Sequence, residues 1–241
     1  MHSWRPGTVL TLVTACLFAA LTTTTVRAQQ PDDDNVIRHI DALALARYDS
    51  IAEFTVTEHY AVFRGKDETH PVAEMTVHTL YRRGEGKSYT IVSKSGPEIV
   101  QKFAFNSLLD NEKQINEPGK VQHSWFTSDN YEMKLRPGDP QLLDGHECLA
   151  VSITPKHKAP NMIMGTLWVD VKENSIVRIE GMASKSPSIW AGPTQMMRQY
   201  VNINGFAMAT HARAVSNSFL FGQTIVTIDY SDYHIQLRSA N

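Results

Sequence analysis

Ten histidines and two cysteines are the residues in this 241-residue chain best suited to bind a metal or attack a carbon, and neither set is arranged for it. No histidine pair has the H-E-x-x-H spacing or that of a zinc finger. His146, Glu147 and Cys148 stand in a row. Neighbouring residues of a strand point to opposite faces, so the three cannot converge on one ion without a kink. Acyl transfer fares no better, because there is no G-x-S-x-G elbow. Ser184, Ser186 and Ser188 flank Pro187 in a segment whose composition favours turns. No glycine-rich phosphate loop is present. The expectation is therefore no metal, no cofactor and no catalytic set. Carboxylate pairs form in space rather than in sequence, and stay open.

One ionisable residue breaks a local rule. Glu58 shares a strand face with Phe54, Val56, Tyr60 and Val62. A carboxylate there needs a partner or water. Either the strand's far end reaches solvent, or Glu58 is a polar anchor on the wall of a cavity. Arg82 and Arg178 are conceivable partners, and nothing in the sequence selects either. Methionines 75, 133, 162, 164, 182, 196, 197 and 208, with Trp168, Trp190, Phe206, Phe219 and Phe221, supply an adaptable apolar surplus. It suits core filling or the lining of a ligand cavity.

The elements that must hold these residues are mostly strands. Asp32, Asp33 and Asp34 open an amphipathic helix predicted over 33–48, with Val36, Ile37, Ile40, Leu43, Ala44 and Tyr48 at helical spacing. From Ile51 the period drops to two, predicting strands over 51–62, 72–82 and 87–94. A helix is predicted after Pro97, over 97–111. Further strands are predicted over 131–135, 148–154, 166–171, 176–182, 197–203, 206–215 and 223–235. Asn204-Gly205 between two alternating runs is a strong hairpin signal, because both turn positions take positive φ. So many sequential strands must pack on something or curl. The economical solution is α+β: one large curved antiparallel sheet of about nine to eleven strands, with helices in its concavity.

The N-terminus reads as an address. Arg5 precedes the apolar run TVLTLVTACLFAAL (8–21), and Val26 and Ala28 sit at −3 and −1 of a small-residue cleavage site. Residues 1–28 are expected to be a signal peptide and 29–241 a single domain, placing the mature protein in the periplasm or cell envelope. Val13-Thr14-Ala15-Cys16 resembles a lipobox, but the apolar run continues past the cysteine. Lipidation at Cys16 is the minor alternative to cleavage after Ala28. Cleavage takes 28 of the 241 residues with Arg5, Arg27 and Cys16, leaving 213 residues, 21 basic against 25 acidic groups, and Cys148 alone. That mild balance argues against nucleic acid as a partner. No intramolecular disulfide can form, and a solitary cysteine is commonly a small buried hydrophobe.

The segments LDGHECLAVSITPK (143–156), GTLWVD (165–170), VRIEG (177–181), KSPS (185–188) and GQTIVTIDYSDY (222–233) resemble the LolA/LolB-like superfamily of periplasmic lipoprotein carriers. That superfamily includes proteins labelled outer-membrane lipoprotein-sorting protein and the lipid-binding half of MucB/RseB-type envelope-stress regulators. The resemblance implies an unclosed β-barrel whose apolar concavity holds acyl chains under covering helices. It makes Phe103, Phe105, Leu108 and Leu109 lid candidates, and Phe54, Val56, Glu58, Tyr60, Met75, Val77 and Trp168 cavity candidates. It implies a lipid or lipidated protein as ligand, with an envelope or inner-membrane protein as a further partner, and no enzymatic activity. An envelope-stress regulatory module is the alternative, and an enzyme using the cavity around Glu58 the weaker one.

Overall fold

The fold follows from where each alternating run ends and reverses. It is seen in a computed structural model that describes residues 1–2, 33–186, 192–218 and 222–239. The apolar run and cleavage site of the leader, Cys16, Ser188, Trp190, Phe219 and Phe221 lie outside the described residues. Residues 31–241 form a unit of their own.

Helix α1 (Asp33–Ser50) begins on Asp33 and Asp34, which complement the positive end of the helix dipole. It leads into β1 (Ile51–Arg64), β2 (Ala73–Arg82) and β3 (Gly86–Ser95). A helical segment follows, made of α2 (Glu98–Val100), a π-helical stretch (Gln101–Asn106) and α3 (Ser107–Ile115). Pro97 caps it with extended φ and ψ rather than lying inside its first turn. After a 3₁₀ turn (Val121–Ser124) come β4 (Tyr131–Leu135), β5 (Gln141–Leu143), β6 (His146–Pro155), β7 (Ile163–Asp170), β8 (Ile176–Ala183), β9 (Thr194–Ile203), β10 (Phe206–Ser218) and β11 (Gly222–Leu237).

The eleven strands among the described residues form one antiparallel sheet in the order β3-β2-β1-β11-β10-β9-β8-β7-β6-β4, with β5 beside β6. β1 closes onto β11, so the first and last strands sit mid-sheet, while β3 and β4 remain unpaired edges. This is the expected unclosed barrel. The Asn204-Gly205 turn has φ of 55° and 86°, as the hairpin signal demanded. Asp144-Gly145, with φ of 51° and 87°, makes a second such hairpin between β5 and β6. The sequence reading missed β5 because three residues are too few to show a period.

Two of the apolar clusters in the concavity bring helices onto strands. Ile40 of α1 packs on Tyr131, Val151, Ile153, Leu167 and Ile179 from β4, β6, β7 and β8. Phe105, Ala104, Leu108 and Leu109 of the second helical segment pack on Tyr60, Val62, Met75 and Val77 of β1 and β2. The π-helical stretch widens the turn and directs Phe105 inward, where it is fully buried with its ring edge-on to Tyr60 at 6.3 Å. Phe103 is exposed.

Two strand backbones approach closely where Gly165 faces Gly181 across β7 and β8. A Cβ on Gly165 would lie 2.1 Å from the Glu180 carbonyl oxygen, and one on Gly181 2.2 Å from that of Met164. Both obstacles are backbone, so the strands themselves would have to part. Gly165→Ala should therefore lower unfolding stability by about 1–3 kcal/mol despite alanine's lower backbone entropy cost. A urea melt of the variant against wild type checks this.

Candidate functional site

Alternation along β1 turns Phe54, Val56, Glu58, Tyr60 and Val62 toward the concavity. The register carries that face to Tyr81, Thr79, Val77 and Met75 on β2 and to Ile228 and Tyr230 on β11. On β9 the same face presents Met196, Arg198, Tyr200 and Asn202, opposite Ala214, Ala212, Ala209 and Ala207 of β10.

Glu58 is 2% exposed, so its strand does not reach solvent there. Neither conceivable arginine serves it: Arg82 pairs with Glu53 at 2.6 Å and Arg178 with Asp144. The Tyr60 hydroxyl donates to Glu58 Oε2, and Oε1 has no hydrogen-bond partner. Burial and then the Glu58 charge push the Tyr60 phenol well above its ordinary value. The anchor is thus met by a neighbour two residues along its own strand, a partner that a search for opposite charge overlooks.

Glu112 of α3 is the centre of the interior charge. Lys87 Nζ of β3 donates to its Oε2 at 2.9 Å, and Arg198 of β9 approaches its Oε1 at 4.0 Å. Burial raises the Glu112 carboxyl, but Lys87 and Arg198 outweigh it and hold the group below its ordinary range. Burial likewise opposes the Lys87 ammonium, and Glu112, with Tyr89, Glu58 and Tyr230, more than reverses the effect. For Arg198, Tyr200, Tyr230 and Glu112 together outweigh burial. Sequence reasoning missed all three residues, because each reads as an ordinary surface charge. Only Arg198 carried a signal, the single charge on an inward face between Met196 and Tyr200.

Two cavities flank this group. The larger, about 940 Å³, lies between the second helical segment and strands β1, β9, β10 and β11, and is lined by Ile99, Phe103, Leu108, Met196, Ala212 and Ile228 among others. The smaller, about 280 Å³, is lined by Arg47, Glu58, Tyr81, Tyr200, Tyr230 and Tyr233 among others. Both touch Glu112, Ile115, Asn161 and Arg198. The concavity is therefore apolar at one end and rich in arginine and tyrosine at the other.

The lid and cavity candidates fall in different places. Phe103 lines the large cavity and is 61% exposed. Leu108 lines it as well, whereas Phe105 and Leu109 pack away from it on β1 and β2. Met75 and Val77 are core beneath Phe105. Phe54, Val56 and Glu58 line the small cavity. Trp168 corrects the expectation of a cavity role. It alternates with inward Leu167 and Val169, packs on Cys148 and Ala150 on the convex face, and donates its indole N–H to Glu180 at 3.1 Å. Both faces of β6 and β7 are apolar, so periodicity did not tell inner from outer.

Cys148 is buried on that convex face, its thiol pushed up to about 11 by burial and the Asp170 charge. His146 lies two residues away on the same face and bonds Asp170 at 2.6 Å. No group of three potential ligands gathers around a metal position among the described residues.

No family model matches the sequence, and no curated protein matches it. Solved structures do. A DUF1329 family protein from Desulfovibrio piger is 13% identical over 86% of this chain and 94% of its own, with a TM-score of 0.45. A LolA superfamily protein from Nitrosomonas europaea is 12% identical over 88% and 96%, at 0.46. An outer membrane lipoprotein-sorting protein domain from Vibrio parahaemolyticus is 12% identical over 85% and 92%, at 0.47.

Because the folded Glu112 carboxyl is held below its ordinary 4.5, it binds fewer protons than in the unfolded chain. Its stabilisation is full above that value and is lost as pH falls below it. Glu112→Gln should lose stability less steeply than wild type as pH falls below about 4.5, as urea midpoints measured from pH 7 downward will show.

Proposed function

We propose that the protein binds a lipid, or the acyl part of a lipidated protein, in its half-barrel and carries it without transforming it. The observation behind this reading is the apolar cavity of about 940 Å³ under the second helical segment, which lies at the upper end of the usual range for small-molecule sites. Each methylene buried there contributes about 0.8 kcal/mol, so one acyl chain suffices for tight binding. Phe103 and Ile99, both more than half exposed, stand where a chain would enter. A secretory leader over residues 1–28 would place this carrier in the periplasm or envelope, where acylated molecules need shielding from water.

A second reading, chemistry within the same concavity, draws on the unpartnered Oε1 of Glu58 beside Tyr60. The two part on what happens to a bound ester. A carrier returns it intact, whereas time-dependent loss of ester mass that disappears in Glu58→Gln would put the enzyme first.

Delipidated protein should take up a neutral apolar fluorophore such as N-phenyl-1-naphthylamine with saturable stoichiometry. Ala212→Trp, on the cavity wall, should weaken that uptake at least tenfold with an unchanged circular-dichroism spectrum. A folded wild-type protein that takes up no probe ends the carrier reading.

A further inference from the structure

Arg47 lies in the last turn of α1, half-buried against the small cavity. Its guanidinium stands 5.9 Å from the centre of the Phe54 ring, and its Nε is enclosed with no hydrogen-bond partner. The groups that act on it electrostatically are the phenols of Tyr233, Tyr200 and Tyr81; no carboxylate is among them. Burial accordingly pulls its pKa down. Across the same cavity, Arg198 shares its one nearby carboxylate, Glu112, with Lys87. Glu58 is engaged by Tyr60, and Glu173 sits at the exposed rim with Asn202 donating to it at 3.4 Å. Arg47, Lys87 and Arg198 thus face Glu58 and Glu112 inside, three cations against two anions.

A half-buried guanidinium whose Nε is shut from water and which has no anion beside it is under-matched, and its planar fork of donors fits carboxylate or phosphate oxygens. Tyrosine hydroxyls beside it add donors of the right kind. The small cavity borders the large apolar one at Arg198 and Glu112, which line both. We propose that the small cavity seats the anionic head, carboxylate or phosphate, of a single-chain amphiphile whose tail fills the large cavity, with Arg47 as the principal contact. This rests on the carrier reading and narrows it to acidic amphiphiles.

Displacement of N-phenyl-1-naphthylamine from the full, delipidated chain tests it, with oleate, oleoyl lysophosphatidate and neutral methyl oleate as competitors. At least one acid should displace the probe at tenfold lower concentration than the ester, and which acid does so names the head. Arg47→Met should bring acid and ester within about twofold, while its melting temperature stays at or above that of wild type. Equal displacement by acids and ester in wild type overturns the anion site and leaves the carrier reading standing. So does an acid preference that survives in Arg47→Met. Absence of probe uptake by folded wild-type protein overturns both. The wild-type comparison of acid with ester needs no variant, so the inference stands or falls even if Arg47→Met does not fold.

Discussion

A single carboxylate has to satisfy two walls of an open barrel at once. β3 is one free edge of the sheet and β9 is five strands away along its order, yet Lys87 from one and Arg198 from the other converge on Glu112. That meeting is possible only because the sheet curls and because α3 lies inside the curl. Removing Glu112 would leave two partly buried cations without their shared anion. The placement of α3 between the two walls is tied to that contact.

Sorting of the interior follows from the same geometry. Along β9 and β10 the inward faces run from Met196 opposite Ala214 to Asn202 opposite Ala207, so small side chains on β10 leave room wherever β9 places a large one. Toward the second helical segment the free volume is bordered by methionine, leucine and isoleucine. Toward α1 it is bordered by tyrosines and Arg47. Such a gradient would orient the proposed amphiphile. In that proposal the apolar end supplies affinity in proportion to buried surface, and the polar end penalises any head that leaves Arg47 unmatched. Affinity and selectivity would then rest on different elements and could vary independently.

Most of the fold was legible in the sequence, because strands of eight or more residues show their period and Asn204-Gly205 marks its own turn. Glu58 was legible as an exception for the same reason: a charge on an apolar face contradicts the period around it. The remainder of the cluster was not. Arg47 in a last helical turn is where a cation is ordinarily found, favoured by the dipole. Lys87 follows a turn glycine, and Glu112 sits among polar residues on a short helix. Each is locally unremarkable, and only tertiary placement makes it buried. Trp168 failed in the opposite way. The resemblance made its apolar strand face a cavity candidate, but β6 and β7 are apolar on both faces, with Leu149, Val151 and Leu167 inside and Cys148, Ala150 and Trp168 outside. Where both faces are apolar, alternation separates residues into two sets without saying which set faces in.

The second apolar face has a physical reason. β5 folds back beside β6, and Leu143 and Val177 pack against Cys148, Ala150 and Trp168. That end of the sheet is covered on both sides, by α1 within and by its own side chains without, and is the more firmly packed half. The β9–β11 region is covered on its inner side chiefly by the second helical segment, whose Phe103 and Ile99 remain exposed. A closely packed half thus adjoins a half with unfilled volume. The helical cover is anchored on β1 and β2 through the buried Phe105, and it reaches the opposite wall through Glu112 and Arg198, so the unfilled volume lies between two fixed points of attachment.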